Sequence, residues 1–165
     1  MLQIAKSVGA YPIIVAGRTS DEEKRLKTAT ELGADAVLNV EKEDIEKVVK
    51  AYTRNWGADV VMECAGSPEA VMQGIKAVRP GGRMVLSGGA TVTLDTGDLI
   101  IKEVSVLGEV SHVWASWETA ITLVKSGKIK LKPLISHVFP LSRWEEAFHT
   151  AADSRTSLKV LIKPE

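Results

Sequence analysis

Four short turns carry the residue types that could hold a phosphate-bearing ligand: AGRT (16–19), CAGS (64–67), SGGA (87–90) and GEVS (108–111). Each contains glycine, which lets a ligand approach the backbone closely, and the last three add a serine. Amides exposed at the start of a helix attract anions. One such turn is ordinary chain reversal. Four in series, each behind an apolar run, point to a nucleotide site. Its candidates are Gly17, Arg18 and Thr19, then Ala65, Gly66 and Ser67, then Gly88 and Gly89, then Gly108, Glu109 and Val110.

The first turn is the most informative. In sheets that bind NAD, an acidic residue at this strand end accepts hydrogen bonds from the adenosine ribose. Here Gly17 stands in that place, followed by Arg18 and Thr19. A small residue beside a guanidinium has room and donors for a ribose 2′-phosphate. The expectation is NADP or NAD, with NADP favoured. Two other readings stay open: Arg18 is a solvated loop residue, or Asp21 or Glu22 supplies the acid.

Other reactive residue types suggest less. Cys64 is the single cysteine and has no histidine near it in sequence, so it reads as a packed small hydrophobe. His112, His137 and His149 show no metal-ligand spacing, and the expectation is no metal site. Trp114 and Trp117 read as core or interface, and Glu41 to Glu46 as a solvated helix start.

The elements that must carry these turns alternate. Leu2, Ala5 and Val8 have helical spacing, Pro12 breaks that helix, and 13–16 is a strand. Ser20 with Glu23 reads as a capping box, Leu26, Ala29 and Leu32 share a helical face, and Gly33 is the stop. Further strands are expected at 36–40, 59–64, 83–87 and 104–108, with helices around 45–52, 68–78 and 115–126. Ser67 and Pro68 suit an N-cap and first helical position. Continuously apolar strands between helices imply parallel strands covered on both faces, hence a doubly wound α/β sheet. After about 130 the pattern becomes strand, proline, a helix capped by Ser142 with Glu145 following, and a terminal strand.

Composition sets the bounds. The chain has 165 residues, 45% of them hydrophobic and 25% charged, an ordinary globular profile. Lys+Arg and Asp+Glu are equal at 21 each, so no basic surplus suggests nucleic acid. No apolar run is long enough to span a bilayer, and the N-terminus has no leader pattern. A cytoplasmic protein is the default.

The stretches ELGADAVLN, GADVVMECAG, RPGGRMVLSGG and KPLISHVFPLSRWEEAF, in this order, resemble the medium-chain dehydrogenase/reductase family. The resemblance is strongest to its zinc-dependent sorbitol, threonine and alcohol dehydrogenase branches and runs over essentially the whole chain. It implies that 1–130 is a Rossmann domain lacking its first strand and that 131–165 is a tail returning to the catalytic domain. It also implies that Arg25 contacts the adenosine part and that GEVSHV approaches the nicotinamide. The family's Gly-x-Gly-x-x-Gly loop, catalytic zinc ligands and structural cysteine lobe would lie upstream. On this reading the chain is a fragment, with weak dinucleotide affinity, no turnover alone and zinc only in the full-length enzyme.

The resemblance further implies a homodimer or larger oligomer through an edge strand near 91–102, where Val92 and Leu94 alternate with Thr and Asp. Two other classes compete. A non-enzymatic α/β interaction module would use the same sheet as a scaffold. A methyltransferase-like domain also places Pro-Gly-Gly before a strand, but it normally keeps the acid that Gly17 replaces.

Overall fold

Strands and helices alternate through the chain in a computed structural model that describes residues 1–164. The order is α1 (Leu2–Ser7), β1 (Ile14–Gly17), α2 (Lys27–Glu31), β2 (Ala36–Asn39), α3 (Ile45–Tyr52), β3 (Ala58–Glu63), α4 (Pro68–Ala77) and β4 (Val78–Leu86). It continues with α5 (Gly97–Lys102), β5 (Ser105–Gly108), α6 (Trp114–Lys125), β6 (Ile135–Pro140), α7 (Trp144–Ala152) and β7 (Lys159–Lys163). Every ladder is parallel: β1 with β2, β3 with β4 with β5, and β6 with β7. This is the expected α/β, Rossmann-like class, and the strands expected at 13–16, 36–40, 59–64, 83–87 and 104–108 lie within a few residues of those places.

Two compact units divide the chain: Met1–Lys42 with the chain from Trp114 onward, and Glu43–Val113. In the first, β1 and β2 pair from Ile14 opposite Ala36 to Gly17 opposite Asn39, which puts both carboxyl ends on one sheet edge. Leu26 and Ala29 are buried as the helical face predicted, but the chain reaches α2 differently. A 3₁₀ turn, Thr19–Asp21, runs into a π turn, Glu22–Leu26. The expected Ser20–Glu23 capping box does not form; two residues earlier, the Arg18 amide donates to Asp21 Oδ2 at 2.9 Å. The tail forms its own β6–α7–β7 unit, with Phe139, Ala147 and Ser157 buried. The N-cap of α7 is Arg143 rather than Ser142, and Arg143 pairs with Glu146 at 2.8 Å one register beyond the expected Glu145.

In the second unit, Val71 and Ile75 from α4 pack on Met84, with Val61, Leu86, Val92 and Leu94 around them. The strand expected at 83–87 begins earlier: Val78 pairs with Ala58, the ladder shifts register, and Arg83 resumes opposite Val60. Gly81, at φ +65°, makes that irregularity possible in a backbone region other residues avoid. The strands are covered less fully than their apolar sequences suggest. Val60 and Met62 on one face of β3 are exposed, and the edge strand β5 is exposed throughout, Val106 and Leu107 included. Val92 and Leu94 alternate in burial as expected, but they pack on the unit's own core. Residues 91–96 belong to no ladder among the described residues, and 97–102 is the helix α5, so the expected edge strand there is not formed.

One lysine ties α5 to the end of α4. Lys102 Nζ donates to the carbonyl oxygens of Ile75 (2.9 Å), Lys76 (3.1 Å) and Val78 (3.4 Å), which include groups that a helix terminus leaves without partners. Replacing Lys102 by Met keeps most of the stem and removes the donors. Hydrogen bonds from charged groups contribute about 1.5–3 kcal/mol, and the half-buried position places the loss near the lower end. Thermal unfolding of Lys102→Met should show a fall in Tm of several degrees, whereas an unchanged Tm would mean that these bonds do not hold α5 to α4.

Candidate functional site

At the end of β1, the chemistry expected of Gly17, Arg18 and Thr19 is enclosed by carboxylates. A Cβ built on Gly17 would lie 3.0 Å from Leu26 Cδ2 and 3.3 Å from Asp21 Oδ2, so glycine is needed here to let the following turn fold back. Asp21 fills the space. Its Oδ2 accepts from the Arg18 amide, and its Oδ1 accepts from Arg25 Nη1 at 3.0 Å. Arg18, Thr19 and Arg25 are therefore brought together with Gly17, and Arg25 is oriented by the acid four residues before it.

Glu41 completes this cluster, and the reading of Glu41 to Glu46 as a solvated helix start missed it. Its Oε1 accepts from Arg18 Nε at 2.8 Å and its Oε2 from the Thr19 amide at 3.0 Å. A buried amide sets up the geometry. Asn39, 5% exposed at the end of β2, donates from Nδ2 to Thr19 Oγ1 (2.9 Å) and to Glu22 Oε1 (2.7 Å). Its Oδ1 accepts from the Glu41 amide at 2.9 Å. Lys42 Nζ donates to Glu22 Oε1 at 2.7 Å. Hydrogen bonds from the Thr19 side chain, Arg18 and the Thr19 amide hold the Glu41 carboxyl down to about 2. Bonds from Lys42 and then Asn39 lower Glu22.

In the second unit, the turns 64–67 and 87–89 meet glycine to glycine. A Cβ on Gly88 would lie 2.3 Å from the Gly66 nitrogen, and Gly66 itself adopts φ +68°. Gly89 and Gly108 face open space. Ser67 caps α4 as expected, its Oγ accepting from the Ala70 amide at 3.2 Å. The buried acid Glu63, 4% exposed, was not foreseen. Its Oε1 accepts from the amides of Ala65 (2.7 Å) and Gly66 (2.8 Å), and its Oε2 has no hydrogen-bond partner among the described residues. The signal was one charged residue inside the apolar run VVMEC. Because side chains alternate along a strand, burial of Glu63 turns Cys64 outward, and the cysteine is exposed rather than packed. The Glu109 amide donates to the Leu86 carbonyl at 3.0 Å, while Gly108, Glu109 and Val110 are themselves exposed. Trp114 and Trp117 are also exposed, which removes the core reading for them.

Glycine contacts at two successive strand ends, with amides gathered by a buried carboxylate, fit close approach of a dinucleotide backbone. The described residues do not fit zinc: among them, no group of three or more His, Cys, Asp or Glu could hold a metal ion. No described helix is long and apolar enough to cross a membrane.

These features define a Rossmann-like α/β fold with glycine turns at its strand ends. The family profile described as zinc-binding dehydrogenase matches residues 1–126, and the chain belongs to that family, within the medium-chain dehydrogenase/reductases. The L-threonine 3-dehydrogenase of Thermococcus kodakarensis is 40% identical over 99% of the chain and 47% of its own length. The sorbitol dehydrogenase of Halalkalibacterium halodurans is 36% identical over 98% of the chain and 47% of its own length. A solved structure described as an NAD-dependent alcohol dehydrogenase superposes with a TM-score of 0.85 at 29% identity, covering 98% of this chain and 46% of that one. The chain thus spans about half the length of the curated relatives it matches.

The Glu41 contact makes a pH prediction. A carboxyl whose pKa is lower in the folded state adds stability above its unfolded value and loses it as pH falls through the folded one. The Glu41 contribution is therefore complete above its ordinary 4.5 and is lost on acidification towards about 2. A carbon-detected NMR titration should place the Glu41 midpoint near 2, and Arg18 Nε should shift with it. A midpoint at the ordinary value would show that the Arg18–Thr19–Glu41 contact does not form in solution.

Proposed function

We propose that this chain is the cofactor-binding portion of a nicotinamide-dependent dehydrogenase that acts on an alcohol or polyol in the cytoplasm. Residues 1–130 form the cofactor part, and 131–165 belong with the catalytic domain. When bound, the nicotinamide supplies the hydride acceptor. This chain's residues bind and orient it: Gly17, Arg18, Thr19 and Arg25 at the adenosine ribose, Ala65, Gly66, Ser67, Gly88 and Gly89 along the dinucleotide, and Gly108, Glu109 and Val110 towards the nicotinamide. Glu63 holds the 65–66 amides in place by accepting from both. Among the described residues no group of three or more His, Cys, Asp or Glu could hold a metal ion, and the isolated chain is expected to turn nothing over.

The choice of NADP over NAD rests on one observation. Gly17 itself carries no acid, and Arg18 beside it has 72% of its side chain exposed, although the Asp21 carboxylate fills the space next to Gly17. A guanidinium attracts a 2′-phosphate, whereas a carboxylate at that place would repel it. Calorimetric titration of the chain should show tighter binding of NADP than of NAD. Arg18→Ala should weaken NADP about tenfold and leave NAD unchanged. Equal loss with both cofactors, or no loss, would refute this role for Arg18.

Association is the second part of the reading. Backbone at 91–96 without a ladder partner lies next to Ile100 and Ile101, 72% and 82% exposed on α5. Two such side chains in water favour a partner surface. Light scattering should report a dimer or larger species, and Ile101→Lys should shift it towards monomer. A monomeric parent chain at high concentration would count against pairing through this segment.

A further inference from the structure

The preference for NADP rests on Arg18, yet Arg18 is already bound to a carboxylate. We propose that Glu41 is a specificity-determining residue that occupies the donors a ribose 2′-phosphate needs and so competes with NADP for Arg18. This rests on the reading of Arg18 given above.

Geometry carries the proposal. One Glu41 oxygen sits on Arg18 Nε and the other on the Thr19 amide, at 2.8 and 3.0 Å. Two acceptor oxygens spanning a guanidinium and a backbone amide is the arrangement a phosphate group would take. The contact is built in, because Asn39 fixes the Glu41 amide with its Oδ1 and the Thr19 hydroxyl with its Nδ2.

Charge explains why the two anions exclude each other. Asp21, Glu22 and Glu41 are paired with Arg25, Lys42 and Arg18 respectively. A phosphate monoester adds about −1.5 to −2 near neutral pH, so it enters this cluster favourably only if one carboxylate leaves. Asp21 is poorly suited to leave. Its side chain is 15% exposed and holds both the Arg18 amide and Arg25. Glu22 is tied to Asn39 and Lys42. Glu41 enters from solvent with 39% of its side chain exposed, and a rotation about its own side-chain bonds releases both donors. A ribose diol carries no charge and can donate to a carboxylate, so NAD does not require this displacement. Glu41 therefore narrows the preference that Arg18 creates.

The test compares adenosine 2′,5′-bisphosphate with 5′-AMP on the full chain by calorimetry. It uses the parent, Glu41→Gln, Arg18→Ala and the double variant, with circular dichroism checking the fold. The ratio of the two affinities is the readout, because a general loss of structure would lower both together. An exposed ion pair of this kind is worth little, so Glu41→Gln should raise the ratio by about two- to fivefold. The double variant should show no such rise over Arg18→Ala. An unchanged or lowered ratio in Glu41→Gln, with Arg18→Ala still selective against the bisphosphate, would overturn competition while leaving the Arg18 reading intact. No selective loss in Arg18→Ala, or no binding of the bisphosphate by the parent chain, would overturn both.

Discussion

Asn39 is buried at the carboxyl end of β2, and the arrangement around the first candidate turn depends on its amide. A primary amide carries two donor hydrogens and an acceptor oxygen, and burying it is costly unless they are used. Here Nδ2 reaches Thr19 and Glu22 in the turn after β1, while Oδ1 takes the Glu41 amide in the turn after β2. The bonds join two turns that lie about twenty residues apart in sequence and fix their spacing. Parallel pairing makes this possible, because Gly17 and Asn39 are register partners and both turns leave the same edge.

The second unit solves a related problem with a carboxylate. Glu63 ends β3 as Asn39 ends β2, and it too is buried with its acceptors aimed at the backbone of the next turn. Its Oε1 gathers the Ala65 and Gly66 amides, which draws the glycine turn back against Gly88. In both units, one buried polar residue at a strand end shapes a turn that the sequence marks only as glycine-rich. The strands supply direction, and these side chains supply the shape of each turn.

Arg18 shows how local composition and tertiary surroundings can differ. By residue type it is a cation placed where an acid would otherwise stand. In the fold it is one of three cations facing three carboxylates. Specificity at such a site is a difference between two affinities, so a group that favours one ligand can be partly offset by its neighbour.

The residue pattern was sufficient for parallel pairing and for the succession of elements, except near 91–102, where an expected edge strand is replaced by the helix α5. Apolar runs such as Val60-Val61-Met62 read as strands because their side chains suit a pleated surface, and glycine or proline marks their ends. It also located the four turns and the Ser67 cap, since a cap depends on residues only three apart. What the pattern could not supply was which partner each polar side chain takes in the folded chain, whether near it in sequence or far from it. Glu41 looked like solvated charge because nothing near it in sequence revealed Arg18. Cys64 looked packed because a small apolar side chain suits a strand end, whereas Glu63 turns inward to accept from the Ala65 and Gly66 amides and so turns Cys64 outward. The Ser20 and Ser142 caps shifted because, in the folded chain, Asp21 took the Arg18 amide and Arg143 found Glu146. Short-range periodicity thus determined which elements form and where ligand turns can lie. Only the tertiary structure decided which charges meet there, because hydrogen bonds and ion pairs act over a few ångströms of space whatever the separation along the chain.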